Sequence, residues 1–303
     1  MKSLYLNDKD DLQKVFDEVE PFTEIYLEKG RYEGKFKLSV PSVTVIGCGF
    51  DTVLINNDYA KKLNGEGVEI GTFQTYTLAV TSDNVTLKNL TVENSAGSPE
   101  VLGQEVALSV YGNRFTAENC KFSSTQDTLF LGPLPDDLVV RYDGFLPDFL
   151  RYYEGEKYQK FVNCRIEGTV DFIFGTGNAL FDKCDVVSLN DNRKIGYVAA
   201  PAHPLSCDIG FVFNNCRLLS ENAPTVYLAR AWRDFGKATF INCAYDDHVP
   251  EVGFINWNDT YREKTSRFSE YSPVFYDRAK WAGKLSLKEA EEFLLRALDK
   301  FDF

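Results

Sequence analysis

The segment RFTAENCKFSST at residues 114–125 returns as YQKFVNCRIEGT at 158–169. Both read as a short strand, an Asn-Cys pair and a second short strand. Phe, Val and Ile alternate with polar residues in them, and a period of two marks β-strands. The unit also occurs as NVTLKNLTVENS (84–95), GFVFNNCRLLSE (210–221) and KATFINCAYDDH (237–248), while ALFDKCDVVSLN (179–190) carries Lys183 at the Asn position. Cys120, Cys164, Cys184, Cys216 and Cys243 are spaced 44, 20, 32 and 27 residues apart. Such spacing fits rungs of about 20–30 residues with insertions at the turns. It predicts an all-β chain wound as a parallel β-helix, because the two-residue hairpin signals of an antiparallel sandwich are scarce. The Asn shared by five units is expected at an inward bend, where its side-chain amides bond from rung to rung.

The ends predict short helices. Leu12, Val15, Phe16 and Val19 have helical spacing within residues 9–19. Ser286 and Glu289 form a capping box for a helix running to about Phe301, with a stripe of Leu287, Ala290, Phe293, Leu294, Ala297, Leu298 and Phe301. Both helices are expected to cap the open ends of the solenoid. Residues 1–303 are read as one domain.

Bulk properties exclude several functions. The formal net charge is −12 and the pI about 4.8. This disfavours nonspecific nucleic-acid binding, which needs a basic face. It also makes a fully anionic polymer an awkward partner unless the groove is locally basic. No run approaches the roughly 18 apolar residues of a membrane span. MKSLYLNDKDDLQKVF (1–16) lacks the apolar core of a signal peptide, so a cytoplasmic location is expected, and the chain is read as a monomer. Five of the seven cysteines share one repeat context and read as small buried hydrophobes rather than disulfides. The two histidines, His203 and His248, are assigned to surface or loop positions. Neither a zinc site nor a histidine triad is expected.

The chemistry lies in two aspartates. Asp127 and Asp171 each follow a repeat cysteine by seven residues. Stacked strands lie about 4.7–4.9 Å apart, so equal phase puts the two carboxylates side by side. Such a pair cannot ionise freely, and one member keeps a proton while the other stays charged. Asp171 lies in the apolar run TVDFIFG (169–175) and needs a partner, for which Arg230 in YLARAW (227–232) is the candidate. Gln104 in GQEVAL (103–108) and Arg230 each lie fourteen residues after a repeat Leu or Cys, namely Leu90 and Cys216. Phase therefore gathers Gln104, Gln126, Asp127, Asp171 and Arg230 on one groove face. Taken singly, each has a plain reading: Asp127 as a turn residue, Asp171 as half of a structural ion pair, the glutamines as rung-bridging amides. Trp232 alone reads as packing.

Together these segments resemble the pectin methylesterases, whose motifs QAVAL, QDTL, DFIFG and LGRPW occur in this order with similar spacing. QDTL (126–129) and VDFIFG (170–175) are unchanged here, and the likeness runs from GRYEG (30–34) to about Trp281. The resemblance implies a right-handed parallel β-helix and hydrolysis of methyl esters in homogalacturonan (pectin) or its oligosaccharides. It implies Asp171 as nucleophile, Asp127 as general acid and then base, and Gln104 and Gln126 as donors to the oxyanion. Arg230 would hold Asp171, and Trp232 and Phe174 would contact the sugar. No metal or organic cofactor is implied. Three departures stand out: Glu105 beside Gln104, Ala229 and Ala231 in place of Gly and Pro around Arg230, and Gly34 where the family carries Glu.

Other readings are a polygalacturonase, which needs further clustered aspartates, and a lyase, which needs calcium-binding carboxylates; neither pattern is present. A noncatalytic polysaccharide-binding protein and an esterase for acetyl groups are further alternatives. The Pro- and aromatic-rich insertion GPLPDDLVVRYDGFLPDFLRYYEGEKY (132–158) is expected to wall the cleft. The expected substrate is a short methylated oligogalacturonide in a bacterial cytoplasm.

Overall fold

Strands of two to seven residues form wherever the period-two pattern holds. In the computed structural model, residues 2–134, 139 and 155–303 are described. The chain visits three sheets in the same order on successive turns. One turn places Phe115–Glu118 in the first sheet, Lys121–Ser123 in the second and Leu129–Leu131 in the third. The next places Tyr158–Val162, Arg165–Gly168 and Val170–Gly175 beside them, all in parallel pairing. Each strand bonds to its counterparts one turn away, which makes a solenoid rather than a sandwich.

The corner between the first and second sheets explains the repeated Asn. Asn89, Asn119, Asn163, Asn215 and Asn242 have φ of +53, +53, +52, +52 and +53°. Asn is among the few non-glycine residues that enter this left-handed region at low cost. The expected inward amide ladder is not what forms. Asn119, Asn163, Asn215 and Asn242 expose their side chains, and the backbone N–H makes the link between rungs. Asn119 N–H donates to the Val162 carbonyl at 3.0 Å, and Asn163 N–H to Asp182 at 3.0 Å. The left-handed backbone turns the side chain outward, so Lys183, with φ +54°, serves equally well.

The next residue points inward. Cys120, Cys164, Cys184, Cys216 and Cys243 are buried, and all seven cysteines are free thiols. The Cys184, Cys216 and Cys243 thiols donate to the carbonyls of Phe161, Phe181 and Phe213 at 3.3–3.4 Å. A ladder of rings runs alongside: Phe161–Phe181, Phe181–Phe213 and Phe213–Phe240 stack with centroids 5.0, 4.7 and 4.5 Å apart. Each buried ring contributes about 1.5–3 kcal/mol of apolar transfer free energy.

Asp11 caps the helix Leu12–Glu18 through Lys14 N–H, and Phe16 meets Phe36 edge-on at the start of the third sheet. That helix covers the first turn, as expected. The C-terminal helix Leu287–Lys300 forms behind its capping box but does not close the last turn. Its Ala290, Phe293 and Ala297, with Phe301, pack on Leu180, Ile209, Val212 and Ile241, the outer side of the first sheet. Leu287 and Leu298 of the expected stripe are exposed. Trp281, against Phe254 and Phe268, covers the last turn instead.

His203 lies in a loop, one of its two expected placements, but it is buried rather than at the surface. It is 1% exposed, its Nε2–H donates to the Gly177 carbonyl at 3.1 Å, and its Nδ1 accepts from Lys237 N–H at 3.2 Å. Burial pushes its pKa down to about 3, so it is a neutral structural residue.

Candidate active site

The third sheet has two apolar faces. Leu129, Leu131 and Ile173 point into the solenoid, while Phe130 and Phe174 join Phe73, Tyr76 and Tyr111 on the outer side. This outer aromatic layer floors a cleft of about 230 Å³ lined by Thr72, Phe73, Gln104, Gln126, Asp127, Asp171, Phe174, Ala200, Arg230, Trp232 and Trp257. All seven residues proposed from sequence therefore meet in one place.

Leu129 pairs with Ile173, so two residues earlier Asp127 stands beside Asp171. The Asp127 N–H donates to the Val170 carbonyl at 3.1 Å. Both aspartates adopt left-handed backbone, φ +68° and +49°. At Asp171 the ladder to the following strand slips between Val170 and Ile173. Such a bulge re-aims a side chain, and Asp, like Asn, enters the left-handed region more readily than other non-glycine residues. Gly175 ends the same strand at φ +128°, where a Cβ would lie 2.1 Å from the Leu131 carbonyl oxygen. Only glycine fits there, which accounts for the last residue of DFIFG.

Asp127 and Asp171 are 8% and 7% exposed. Burial, and then the charge of Asp171, push the Asp127 carboxyl well above the usual range. Burial also raises Asp171, opposed by the hydrogen bonds and charge of Arg230. Asp171 is thus the first of the pair to ionise. Arg230 grips it with two parallel bonds, Nε to Oδ1 at 2.8 Å and Nη2 to Oδ2 at 2.6 Å. The guanidinium is itself clamped between rings, 3.6 Å from the centre of Tyr197 and 4.1 Å from that of Trp257.

The fourteen-residue offset shared by Gln104 and Arg230 is not a shared register. The ladder runs Leu108, Leu129, Ile173, Ala199, Ala229, so Arg230 lies level with Phe174 and Gln104 level with Thr125. Turns of unequal length break the count, and both side chains reach the cleft by different routes. Trp232 meets Phe174 edge-on with centroids 5.8 Å apart and stays half-buried, an open apolar face.

Several cleft residues escaped sequence reasoning. Thr72, Phe73 and Trp257 come from segments without a repeat signature, and so does the strand residue Tyr197, which lies against Arg230. Tryptophan count was the one available signal, since two of three lie here. Arg193 and Asp191 lie behind Gln126. Glu105, the added carboxylate, does not enter the cleft. It is 0% exposed and accepts from Gly97 N–H at 3.1 Å and the Thr125 hydroxyl at 2.7 Å. Burial raises its pKa. Ala231 is buried, and its carbonyl accepts from Arg262. Residues 135–138 and 140–154 of the expected cleft wall lie outside the described residues.

The sequence profile of the pectinesterase family matches residues 5–133 and 144–299. Pectinesterase QRT1 of Arabidopsis thaliana is 30% identical over 286 residues, covering 90% of this chain and 68% of that protein. Pectinesterase 31 of the same plant is 29% identical, with 89% and 77% covered. The carrot pectin methylesterase structure superposes with a TM-score of 0.78 at 18% identity, covering 97% and 91% of the two chains. That of Yersinia enterocolitica gives 0.73 at 25% identity, covering 92% and 93%. The fold is the right-handed parallel β-helix. With family profile, relatives along most of the chain and the stacked aspartates in agreement, the chain belongs to the pectinesterase family.

Proposed function

We propose that this chain hydrolyses methyl-esterified homogalacturonan, with Asp171 as nucleophile and Asp127 as acid and base. The observation that carries the reading is the doubly bonded Asp171–Arg230 pair beside a second, more strongly raised carboxyl. Asp171 Oδ attacks the ester carbonyl carbon, and the carbonyl electron pair moves to oxygen. The amide groups of Gln104 and Gln126 donate to that oxyanion. Its collapse breaks the C–O bond to the methoxy group, which takes the Asp127 proton and leaves as methanol. Asp127 then removes a proton from water, the water oxygen adds to the acyl carbon, and the Asp171 carboxylate departs. Galacturonate remains.

The net charge of −12 favours substrate stretches neutralised by esterification, with Arg230 as the cation lining the cleft. Seven unpaired thiols support residence in a reducing compartment, hence a bacterial cytoplasm and short oligogalacturonides as substrates. Methanol release from methylated trimers, tetramers and long pectin tests both parts. Wild type is expected to release methanol, fastest from the short chains, and Asp171→Ala none. Equal release by Asp171→Ala in folded protein overturns the nucleophile. Acetate release without methanol would move the substrate to an acetyl ester.

A further inference from the structure

Gln126 is an amide, and an amide can present either its oxygen or its NH2 to the cleft. Only the NH2 can donate to an oxyanion. Arg193 Nη1 donates to Gln126 Oε1 at 2.8 Å. A guanidinium has donors and no acceptor, so the amide oxygen must face Arg193. The NH2 is thereby left for the cleft and the Asp127 carboxyl. Arg193 is itself held. Its Nη2 donates to the Thr169 hydroxyl at 2.7 Å, and its Nε to Asp191 Oδ2 at 2.8 Å, with a second bond from Nη2 to the same carboxylate. The Asp191 side chain is 7% exposed and that of Arg193 is 20% exposed. Burial pushes Asp191 up, but the bonds from Arg193 and Thr169 and the Arg193 charge outweigh it and hold the carboxyl below its usual range. The Thr169 backbone N–H in turn donates to the Thr125 carbonyl at 2.8 Å, tying the brace to the residue before Gln126.

We infer that Arg193 is a positioning residue for ester hydrolysis, locking Gln126 with its oxygen turned away and its NH2 turned into the cleft. The inference rests on the esterase reading. Arg193 is not among the residues lining the cleft, so it acts through Gln126. Its charge has a second effect. Asp127 faces Asp171, Arg230 and Arg193, and Asp171 faces Arg230 and Arg193. Buried Glu105, beside Thr125, faces Arg193 and Asp191. Arg193 lowers the pKa of Asp127, Asp171 and Glu105 alike.

The test compares Arg193→Met, Arg193→Lys and Asp191→Asn by methanol release from a methylated oligogalacturonide across pH. Arg193→Met is expected to lower kcat roughly 10–100-fold with KM within about twofold, because it misaligns an oxyanion donor and leaves sugar binding intact. Its acidic limb should move to higher pH. Arg193→Lys keeps the charge and one donor, so the limb should return while kcat recovers in part. Asp191→Asn, which loosens the anchor, should give a smaller fall in kcat and serves if Arg193→Met does not fold. Unchanged kcat in folded Arg193→Met, or a change confined to KM, overturns the inference. A wild-type protein without methanol release would instead defeat the esterase reading.

Discussion

Arg230 holds both carboxylate oxygens of Asp171, at 2.8 and 2.6 Å, across 59 residues of sequence. Rings of Tyr197 and Trp257 cover the two faces of the guanidinium. The fork, the rings and the bulge at Asp171 define one orientation for its carboxylate. This arrangement also separates the two aspartates: one has a cation bonded to it, the other has a carboxylate for a neighbour.

Arg230→Met should therefore damage stability and activity together. It leaves Asp171 buried without its partner, which costs about 3–5 kcal/mol. Losing the cation raises the Asp171 pKa further, so less of the carboxylate is ionised on the acid side. The acidic limb of kcat should move up in pH, with a larger loss at pH 5 than at pH 8. Arg230→Lys should fall between the two, since it keeps charge but not the fork. Urea unfolding and pH–rate profiles check both effects.

Asp127→Asn should lower kcat by roughly 10²–10⁴-fold and stabilise the fold at neutral pH. The folded Asp127 pKa is raised, so between the ordinary carboxylate value and the raised one the folded state binds a proton that the unfolded state does not. Stability falls with rising pH across that window. Asn carries no such penalty. The variant's advantage in Tm should grow from pH 4 towards pH 8, by about 2–4 °C per kcal/mol. A constant difference would contradict the raised pKa.

Gln104→Ala and Gln126→Ala should each reduce kcat by about 10²–10³-fold with little change in KM. In the proposed reaction their partner, the oxyanion, exists only in the transition state. A rise in KM at unchanged kcat would reassign them to ground-state sugar binding.

His203 should make the protein acid-sensitive. Its folded pKa is about 3 against about 6.5 unfolded. Its contribution is complete above about pH 6.5 and is lost as pH falls, at about 1.4 kcal/mol per unit down to about pH 3. His203→Gln gives up the imidazole packing and hydrogen bonds at every pH but escapes this penalty. The stability gap between it and wild type should shrink from pH 7 to pH 4, measured by denaturant midpoints.

The repeat was legible because a strand's period is local, and so was the aspartate pair. The turns from Cys120 to Asp127 and from Cys164 to Asp171 are equal in length, so counting and register agree. Asp191 shows where counting stops. It also follows a repeat cysteine, Cys184, by seven residues, yet its turn is longer and it lies behind the cleft rather than in it. The buried His203 and the outward-facing Asn corners escape such counting for a related reason. Exposure depends on what packs against a turn, and that partner is distant in sequence.

The rung, the winding it implies, the unchanged QDTL and VDFIFG segments and the pairing of Asp127 with Asp171 are all written in the order of the residues. They follow from backbone periodicity and from equal short turns. Packing in three dimensions settles the rest: which carboxyl ionises first, how Arg230 is clamped, that Arg193 bonds the Gln126 amide oxygen, and that the C-terminal helix lies along the side. Those outcomes depend on burial and on contacts between turns of unequal length. There the ladder hydrogen bonds, rather than residue counts, set which side chains meet.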